Sequence, residues 1–195
     1  MIFADVSATI LAGGQSRRMG YPKCLAKIGE VTLLDILIEK LTKIGFEKIW
    51  ISINRDTKIP LKDEYNYIFD DYTKVGPLAG ILAALENCKA DYSFIIPCDV
   101  PFISENIIIE LLENRRDDRI VIAKDEKGIQ PLIGVYPRNS LDSVRNIIAS
   151  GKRRIISVFE IFPVETLDFS SSAGFLNINT PEDLIVANGT FDREL

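Results

Sequence analysis

Apolar and polar positions along the chain fall into blocks that predict strands and helices in alternation. Val6 to Ala12 is a mainly apolar run, which is typical of a buried strand. Val31 to Ile44 carries its apolar residues at helical spacing, and Gly45 supplies the stop. The same patterns predict further strands at Lys48–Ile53, Tyr67–Phe69 and Tyr92–Pro97, and further helices at Pro77–Cys88 and Ser104–Arg115.

The pattern changes in the second half of the chain, where two strand-like runs flank a polar turn. Residues 119–137 therefore predict a β-hairpin around Gly128. Near the end, Thr180 is placed to cap a final helix, Pro181 takes its first position, and Asp183 can complete a weak capping box. The remaining predictions are helices at Ser140–Ala149 and Arg154–Phe159 and strands at Phe162–Leu167 and Phe175–Ile178.

This order of elements predicts an α/β fold with three Rossmann-like layers. Strands that alternate with helices favour a mostly parallel sheet, and the hairpin adds an antiparallel element. Ligands of such sheets bind beyond the carboxyl ends of the strands. Because 195 residues suit one compact core and no repeat or linker interrupts them, residues 1–195 are expected to form a single domain.

Composition and charge narrow the class of protein. With 47% hydrophobic and 26% charged residues, the chain resembles an ordinary globular protein. A net charge of -5 argues against nucleic acid as a partner, whereas cations clustered at residues 17–23 and 152–154 suit a small polyanion. The sequence shows no membrane-spanning stretch and no signal peptide, and its three cysteines are widely spaced, so a cytoplasmic protein without a membrane partner is expected.

The chain contains no histidine, and this absence excludes several kinds of chemistry. Ser-His-Asp triads, Cys-His pairs and histidine-ligated zinc cannot be built. A metal site would most naturally use carboxylates, which favours Mg²⁺, with Mn²⁺ as the alternative. Catalysis should then rest on positioning and electrostatics, as in phosphoryl and nucleotidyl transfer.

A glycine-rich, basic loop follows the first predicted strand. In the stretch TILAGGQSRRMGYPKCLA, residues 9–26, the pair Gly13-Gly14 is followed by Arg17, Arg18 and Lys23. Its spacing matches neither a Walker A loop nor a dinucleotide-binding fingerprint. Backbone N–H groups combined with mobile cations suit a nucleoside triphosphate whose leaving group is pyrophosphate. The alternative is a glycine-rich turn with solvated basic residues.

Carboxylates follow two of the predicted strands. Asp99 ends a buried strand at the edge of the sheet where the loop lies, and beside a triphosphate it is a candidate magnesium ligand. The alternative is an aspartate that caps the turn before the helix at Ser104. Asp70 and Asp71 form a second pair, for which a solvated loop is about as well supported as a functional site.

Five motifs resemble those of the MobA-type molybdenum cofactor guanylyltransferases, a family within the nucleotidyltransferase superfamily. They are LAGGQSRRMGYPK, GPLAG, PCDVPF, GKRRI and NINTPEDL, in that order, and they extend from Leu11 to Leu184. The first motif is shared with cytidylyl- and sugar-phosphate enzymes, whereas its Gly-Gly form and the NINTPEDL ending favour the guanylyl branch. The resemblance implies the nucleotidyltransferase form of the three-layer fold.

The resemblance also implies roles for individual residues. Lys23, Arg18 and Asp99 would be catalytic, with Asp99 as the metal ligand. The residues implied to bind nucleotide are Leu11, Ala12, Gly13, Gly14, Lys23, Asn54, Asp70 and Asp99, and those implied to bind the acceptor are Arg154, Asn177 and Asn179. Two positions depart from the family pattern: Ser52 stands where asparagine is frequent, so Asn54 is taken as its substitute, and Gln130 stands where some members have histidine.

The implied reaction is transfer of GMP from GTP to the terminal phosphate of molybdopterin, or of its molybdenum-loaded form, with release of pyrophosphate. Mg²⁺ would be the cofactor, and transient contact with molybdoenzymes or other cofactor-biosynthesis proteins is compatible with this role. Two alternatives remain open: a cytidylyl- or sugar-phosphate nucleotidyltransferase of the same fold, and a non-catalytic nucleotide-binding assembly factor. Cys24 and Cys98 lie beside the motifs but are expected to be packing residues.

Overall fold

A seven-stranded sheet forms the centre of the computed structural model, which describes residues 3–13, 19–55, 57, 59–70, 75–170 and 174–191. The strands in chain order are β1 (Val6–Leu11), β2 (Lys27–Ile28), β3 (Val31–Thr32), β4 (Ile49–Asn54), β5 (Asn66–Asp70), β6 (Tyr92–Pro97), β7 (Ile120–Asp125), β8 (Gly128–Pro137) and β9 (Val164–Asp168). The sheet order is β5-β4-β1-β6-β8-β7-β9, while β2 and β3 pair separately. Within the described residues, β8 alone runs against its neighbours in the large sheet.

Helices cover both faces of this sheet. Those in the described ranges are α1 (Leu33–Ile44), α2 (Pro77–Asn87), α3 (Glu105–Glu113), α4 (Leu141–Ala149) and α5 (Pro181–Phe191). One apolar core joins α1 and α3 to the first face of the sheet, and a second joins α2 and α4 to the opposite face. Alternation along β6 explains the division, because Phe94 and Ile96 enter the first core and Ile95 enters the second. The predicted three-layer α/β fold is therefore confirmed.

Most predicted elements begin and end within two residues of the observed ones, and local capping explains several boundaries. Thr32 accepts a hydrogen bond from the Asp35 N–H at 3.1 Å, so helix α1 starts two residues later than predicted. Gly45 ends α1 in the left-handed conformation, with φ of 105°. The predicted helix at Arg154–Phe159 is a 3₁₀ helix at Ile155–Glu160. No helix among the described ranges is long and apolar enough to cross a membrane.

The strand predicted at Phe175–Ile178 is wrong, because residues 174–179 have no regular secondary structure. Phe175 and Ile178 are buried, so their apolar side chains reflect packing against the core rather than strand pairing. The backbone here bonds to a loop, since the Ile178 N–H donates to the Asp99 carbonyl oxygen at 2.8 Å. This contact brings the segment before α5 to the carboxyl end of β6.

Candidate functional site

The carboxyl ends of four adjacent parallel strands bring the predicted nucleotide residues to one edge of the sheet. Leu11 ends β1, Asn54 ends β4 and Asp70 ends β5, while Asp99 lies two residues beyond β6. The Leu11 carbonyl oxygen accepts the Cys98 N–H at 3.1 Å, which holds the start of the Asp99 turn against the end of β1. This edge is where an α/β sheet binds its ligand.

Asn54 and Asp70 form one side of the site. Their Cα atoms are paired across β4 and β5, and Asn54 Nδ2 donates to Asp70 Oδ1 at 3.0 Å. Gly13 lies directly beside this pair. A Cβ atom placed on it would be 3.3 Å from the backbone nitrogen of Asn54 and 3.3 Å from Asp70 Oδ2. A buried carboxylate oriented by an amide, with glycine backbone next to it, suits a ligand that donates hydrogen bonds.

Ser52 is on the same face of β4 as Asn54 but is packed into the core beneath helix α2. Its side chain is 1% exposed, and a Cβ atom on Gly80 of α2 would lie 2.9 Å from Ser52 Oγ. The hydroxyl is therefore packed under α2, which Gly80 allows to approach closely. Asn54, two positions along the same strand, is the residue that reaches Asp70.

Lys23, Asp99 and Asn179 form the centre of the site. Lys23 begins a 3₁₀ turn after Pro22, and its Nζ donates to Asp99 Oδ2 at 2.8 Å and to Asn179 Oδ1 at 2.7 Å. The Lys23 and Asp99 side chains are 20% and 19% exposed, so the ion pair is partly shielded from solvent. A cation and a carboxylate from distant parts of the chain thus meet at the end of β6.

A cavity of about 440 Å³ adjoins this centre on the side of β8. Its polar lining consists of Asp99, Gln130, Arg153, Arg154 and Asn177. The walls are otherwise apolar and come from Pro77, Pro97, Pro131, Leu132, Ile133, Ile155 and Ile156. Two arginines, two amides and apolar walls suit an anion that carries a flat polar ring.

The structure separates the predicted acceptor residues into two groups. Arg154 and Asn177 line the cavity together with Asp99, whereas Asn179 bonds to Lys23. Predicted site residues Gly14 and Arg18 lie outside the described residues, as do Arg17 and Asp71.

Sequence reasoning missed Arg153 and the position of Gln130 in the cavity wall. It also missed the link from Asp183 to Asn179, whose backbone N–H donates to Asp183 Oδ2 at 2.7 Å. The signals were present in the GKRRI motif and in the capping box before α5, but neither shows which side chains meet.

The cysteines beside the site are packing residues. Cys24 and Cys98 are buried and belong to the same apolar core. Burial raises the pKa of the Cys24 thiol to about 11 and raises that of Cys98 as well. Both thiols are therefore neutral near pH 7, as the sequence analysis expected.

Among the described residues, Asp99 is the carboxylate that this centre offers to a metal ion. No group of three or more histidine, cysteine, aspartate or glutamate side chains suited to a metal occurs among the described residues. Asp99 supplies a single carboxylate, and Lys23 bonds to one of its oxygens. This fits Mg²⁺, which takes one or two carboxylates and completes its shell with phosphate oxygens and water.

Comparison with known proteins identifies the family. A model of the MobA-like NTP transferase domain matches residues 8–164. The chain belongs to this family. The match begins within β1 and ends at the first residue of β9, so it includes the glycine loop, Asp99 and every residue that lines the cavity except Asn177.

Relatives with assigned names cover almost the whole chain. A probable molybdenum cofactor guanylyltransferase from Geobacillus sp. (strain WCH70) is 32% identical over 189 residues, which span 91% of this chain and 95% of that protein. The molybdenum cofactor guanylyltransferase of Haemophilus influenzae (strain ATCC 51907 / DSM 11121 / KW20 / Rd) is 33% identical over 184 residues, with 92% and 95% covered.

Solved structures share the fold at lower identity. Molybdopterin-guanine dinucleotide biosynthesis protein A from Archaeoglobus fulgidus superposes with a TM-score of 0.78 at 24% identity and covers 96% of this chain and 99% of that one. A nucleotidyl transferase from Methanothermobacter thermautotroptrophicus gives 0.76 at 16% identity, with 97% and 99% covered. At these identities the likeness shows the fold, and the predicted nucleotidyltransferase fold is confirmed.

Proposed function

We propose that this protein transfers GMP from GTP to the terminal phosphate of molybdopterin, or of its molybdenum-loaded form, and releases pyrophosphate. The observation that carries the proposal is the position of Asp99. It bonds to Lys23 of the loop that follows β1 and also lines the cavity with Arg153 and Arg154. Two anionic substrates can therefore meet at one carboxylate. The names of relatives that span more than nine-tenths of the chain support the choice of substrates.

GTP would lie across the ends of β1, β4 and β5. The buried Asp70 carboxylate, oriented by Asn54, would accept hydrogen bonds from the guanine or the ribose. The backbone of Leu11, Ala12, Gly13 and Gly14 would follow the nucleotide, and Lys23 and Arg18 would meet its phosphates. Gly13 leaves room for this approach because it carries no side chain beside Asp70.

The acceptor would occupy the cavity. Its apolar walls suit a flat heterocycle, and Gln130 and Asn177 offer amide donors and acceptors to the edges of that ring. Arg153 and Arg154 would hold the terminal phosphate, since guanidinium groups match the geometry of phosphate oxygens.

The transfer step needs charge neutralisation more than a base. An oxygen of the acceptor phosphate forms a bond to the α-phosphorus of GTP, and the bond from that phosphorus to the bridging oxygen of the β-phosphate breaks. Pyrophosphate leaves with the electron pair. The attacking phosphate is already ionised, which is consistent with a chain that has no histidine. Lys23 and Arg18 would offset the charge of the leaving group, and Mg²⁺ held by Asp99 would neutralise phosphate charge there.

The decisive experiment measures pyrophosphate after incubation with Mg²⁺, molybdopterin and each of the four nucleoside triphosphates in turn. Release that requires GTP, the acceptor and Mg²⁺ together is the expected result, and EDTA should abolish it. Release with CTP in preference to GTP would move the protein to a cytidylyl branch. Binding of a triphosphate without release of pyrophosphate in any mixture would instead indicate an assembly factor.

Two further expectations from the sequence stay predictions. They are transient contact with molybdoenzymes or other cofactor-biosynthesis proteins, and a single domain over residues 1–195.

A further inference from the structure

The Lys23 ammonium is held by a residue near the far end of the chain. Its Nζ donates to Asn179 Oδ1 at 2.7 Å, in addition to the 2.8 Å bond to Asp99 Oδ2. A lysine side chain is flexible and carries a compact charge, so a single partner defines its position poorly. Two acceptors on separate segments, 76 and 156 positions away in sequence, define it much better.

Asn179 is itself fixed by Asp183. Asp183 Oδ2 accepts the backbone N–H groups of Asn179 at 2.7 Å and of Thr180 at 2.9 Å. The Thr180 hydroxyl accepts the Asp183 N–H at 3.2 Å and completes a capping box at the start of α5. The bond from the Asn179 backbone lowers the pKa of Asp183, so this carboxylate is ionised at neutral pH. The backbone that carries the Asn179 side chain is thus bonded to a charged acceptor.

We propose that Asp183 is a positioning residue for nucleotidyl transfer, which acts through Asn179 to hold Lys23 where it meets the nucleotide phosphates. The inference rests on the proposed function and adds a residue that does not touch either substrate. It also assigns Asn179 to the lysine, while Asn177, two positions earlier, lines the acceptor cavity. The capping box of α5 therefore serves the site as well as the helix.

The competing explanation is that Asp183 only caps α5. Glu182 provides a matched control, because it is the acidic residue that directly precedes Asp183 in the first turn of α5. Replacing either residue with its amide removes one negative charge near the helix N-terminus. Of the two, Asp183 makes the hydrogen bond to the Asn179 backbone.

The test is a double-mutant cycle with Asp183→Asn, Lys23→Ala and the combined variant, together with Glu182→Gln. The equilibrium Kd for Mg²⁺·GTP is measured for each, and kcat and KM are measured wherever turnover is detectable. Misplacing a positioned group commonly costs roughly 10- to 100-fold in rate. We expect Asp183→Asn to lower kcat by about that factor and to weaken GTP binding, with the KM for molybdopterin within about twofold of wild type.

The cycle separates positioning from stability. If Asp183 acts through Lys23, Asp183→Asn adds nothing to the loss in the Lys23→Ala background. Equal losses of GTP affinity in both backgrounds would overturn the proposal, as would a lowered Tm without any change in kinetics or affinity. Glu182→Gln should match wild type in each measurement. Because the Kd cycle needs no transfer, it tests the link even if molybdopterin proves not to be the acceptor.

Discussion

The Lys23 ammonium lies 2.8 Å from the Asp99 carboxylate, although the two residues are 76 positions apart in the sequence. The contact joins the loop after β1 to the turn after β6, which are the two segments that carry the strongest motifs. Both side chains are about four-fifths buried. Removal of either one leaves a partly buried charge without its main partner, which is more costly than loss of a surface ion pair.

Lys23→Ala is expected to lose both GTP affinity and rate, whereas Lys23→Arg should lose mostly rate. Arginine keeps the charge but changes the reach and the geometry of the donors. Loss of one group that stabilises developing charge commonly costs on the order of 10² to 10³ in kcat. The measurement is kcat and KM for GTP in both variants, with a thermal melt for folding.

Lys27→Ala is the matched control for this pair of variants. Lys27 lies nearby in β2, but its side chain is 54% exposed and its ion pair with Glu30 is long, at 3.6 Å. A surface pair of this kind contributes little, so kinetics should not change. Wild-type kinetics in Lys23→Ala would mean that the loop does not bind phosphate through this residue.

Asp99→Asn should abolish turnover while the fold remains intact. The amide is similar in size but carries no charge. It can therefore neither form an ion pair with Lys23 nor act as a strong ligand for Mg²⁺. We expect a loss on the order of 10² to 10³ in kcat. Asp142→Asn is the control, since Asp142 is an exposed aspartate of α4. Activity within a few-fold of wild type would restrict Asp99 to capping the turn.

Gly13→Ala should weaken GTP binding more than it changes stability. The added Cβ would sit 3.3 Å from Asp70 Oδ2 and the Asn54 nitrogen, on the surface proposed for the nucleotide. We expect a loss of about 1.4 kcal/mol in binding free energy, which corresponds to a tenfold weaker affinity. Titration with GTP measures the change.

Gly189→Ala serves as the comparison in this case. Gly189 lies in α5, and a Cβ there meets no atom within 4 Å. Alanine should raise the free energy of unfolding by about 0.4–1 kcal/mol and leave GTP binding unchanged. If both glycine variants bind GTP like wild type, the nucleotide does not approach Gly13.

Alkylation of the thiols should be slow in the native protein and should accelerate as pH rises toward 11. Burial raises the pKa of Cys24 to about 11, so at pH 8 about one thiol in a thousand is ionised. Iodoacetamide labelling followed by mass spectrometry measures the rate. All three cysteines should react quickly in denaturant.

The same shift predicts a loss of stability in alkali. An unfolded cysteine ionises near pH 8.5, at about its ordinary pKa, whereas the native Cys24 keeps its proton up to about pH 11. The free energy of unfolding should therefore decline as pH rises across this window.

For the labelling experiment, rapid reaction of the native protein with iodoacetamide at pH 8 would contradict the burial of the thiols.

Much of the fold could be predicted because its elements follow local patterns. The run at Val6–Leu11 is buried throughout and forms β1, and the capping residues at Thr180 and Asp183 mark the start of α5. The error at Phe175–Ile178 has a physical cause. Apolar residues at close spacing show burial, but the partner of the backbone was a loop and not a strand.

For the candidate site, the sequence suggested some of the residues but none of the contacts between them. Lys23 and Asp99 stand out in the sequence because they are charged residues in motifs that follow buried strands, and Arg154 stands out through the basic GKRRI motif. Which of them meet depends on the fold, as the bond from Lys23 to Asn179 shows across 156 positions. The cavity walls from β8 also could not be predicted, since an isolated hairpin does not reveal which sheet edge it joins.

The order of the site residues along the chain bears on how hybrids of related enzymes can be built. The proposed nucleotide residues lie at or before Asp99, and most of the cavity lining comes from residues 130–156. A crossover within α3 would therefore replace residues 130–156, and with them most of the proposed acceptor cavity, in one step. The bond between Lys23 and Asn179 sets one condition, because it ties the first segment to the last. We expect a hybrid to keep its lysine in place only when a second crossover, after β9, returns the tail of the first parent.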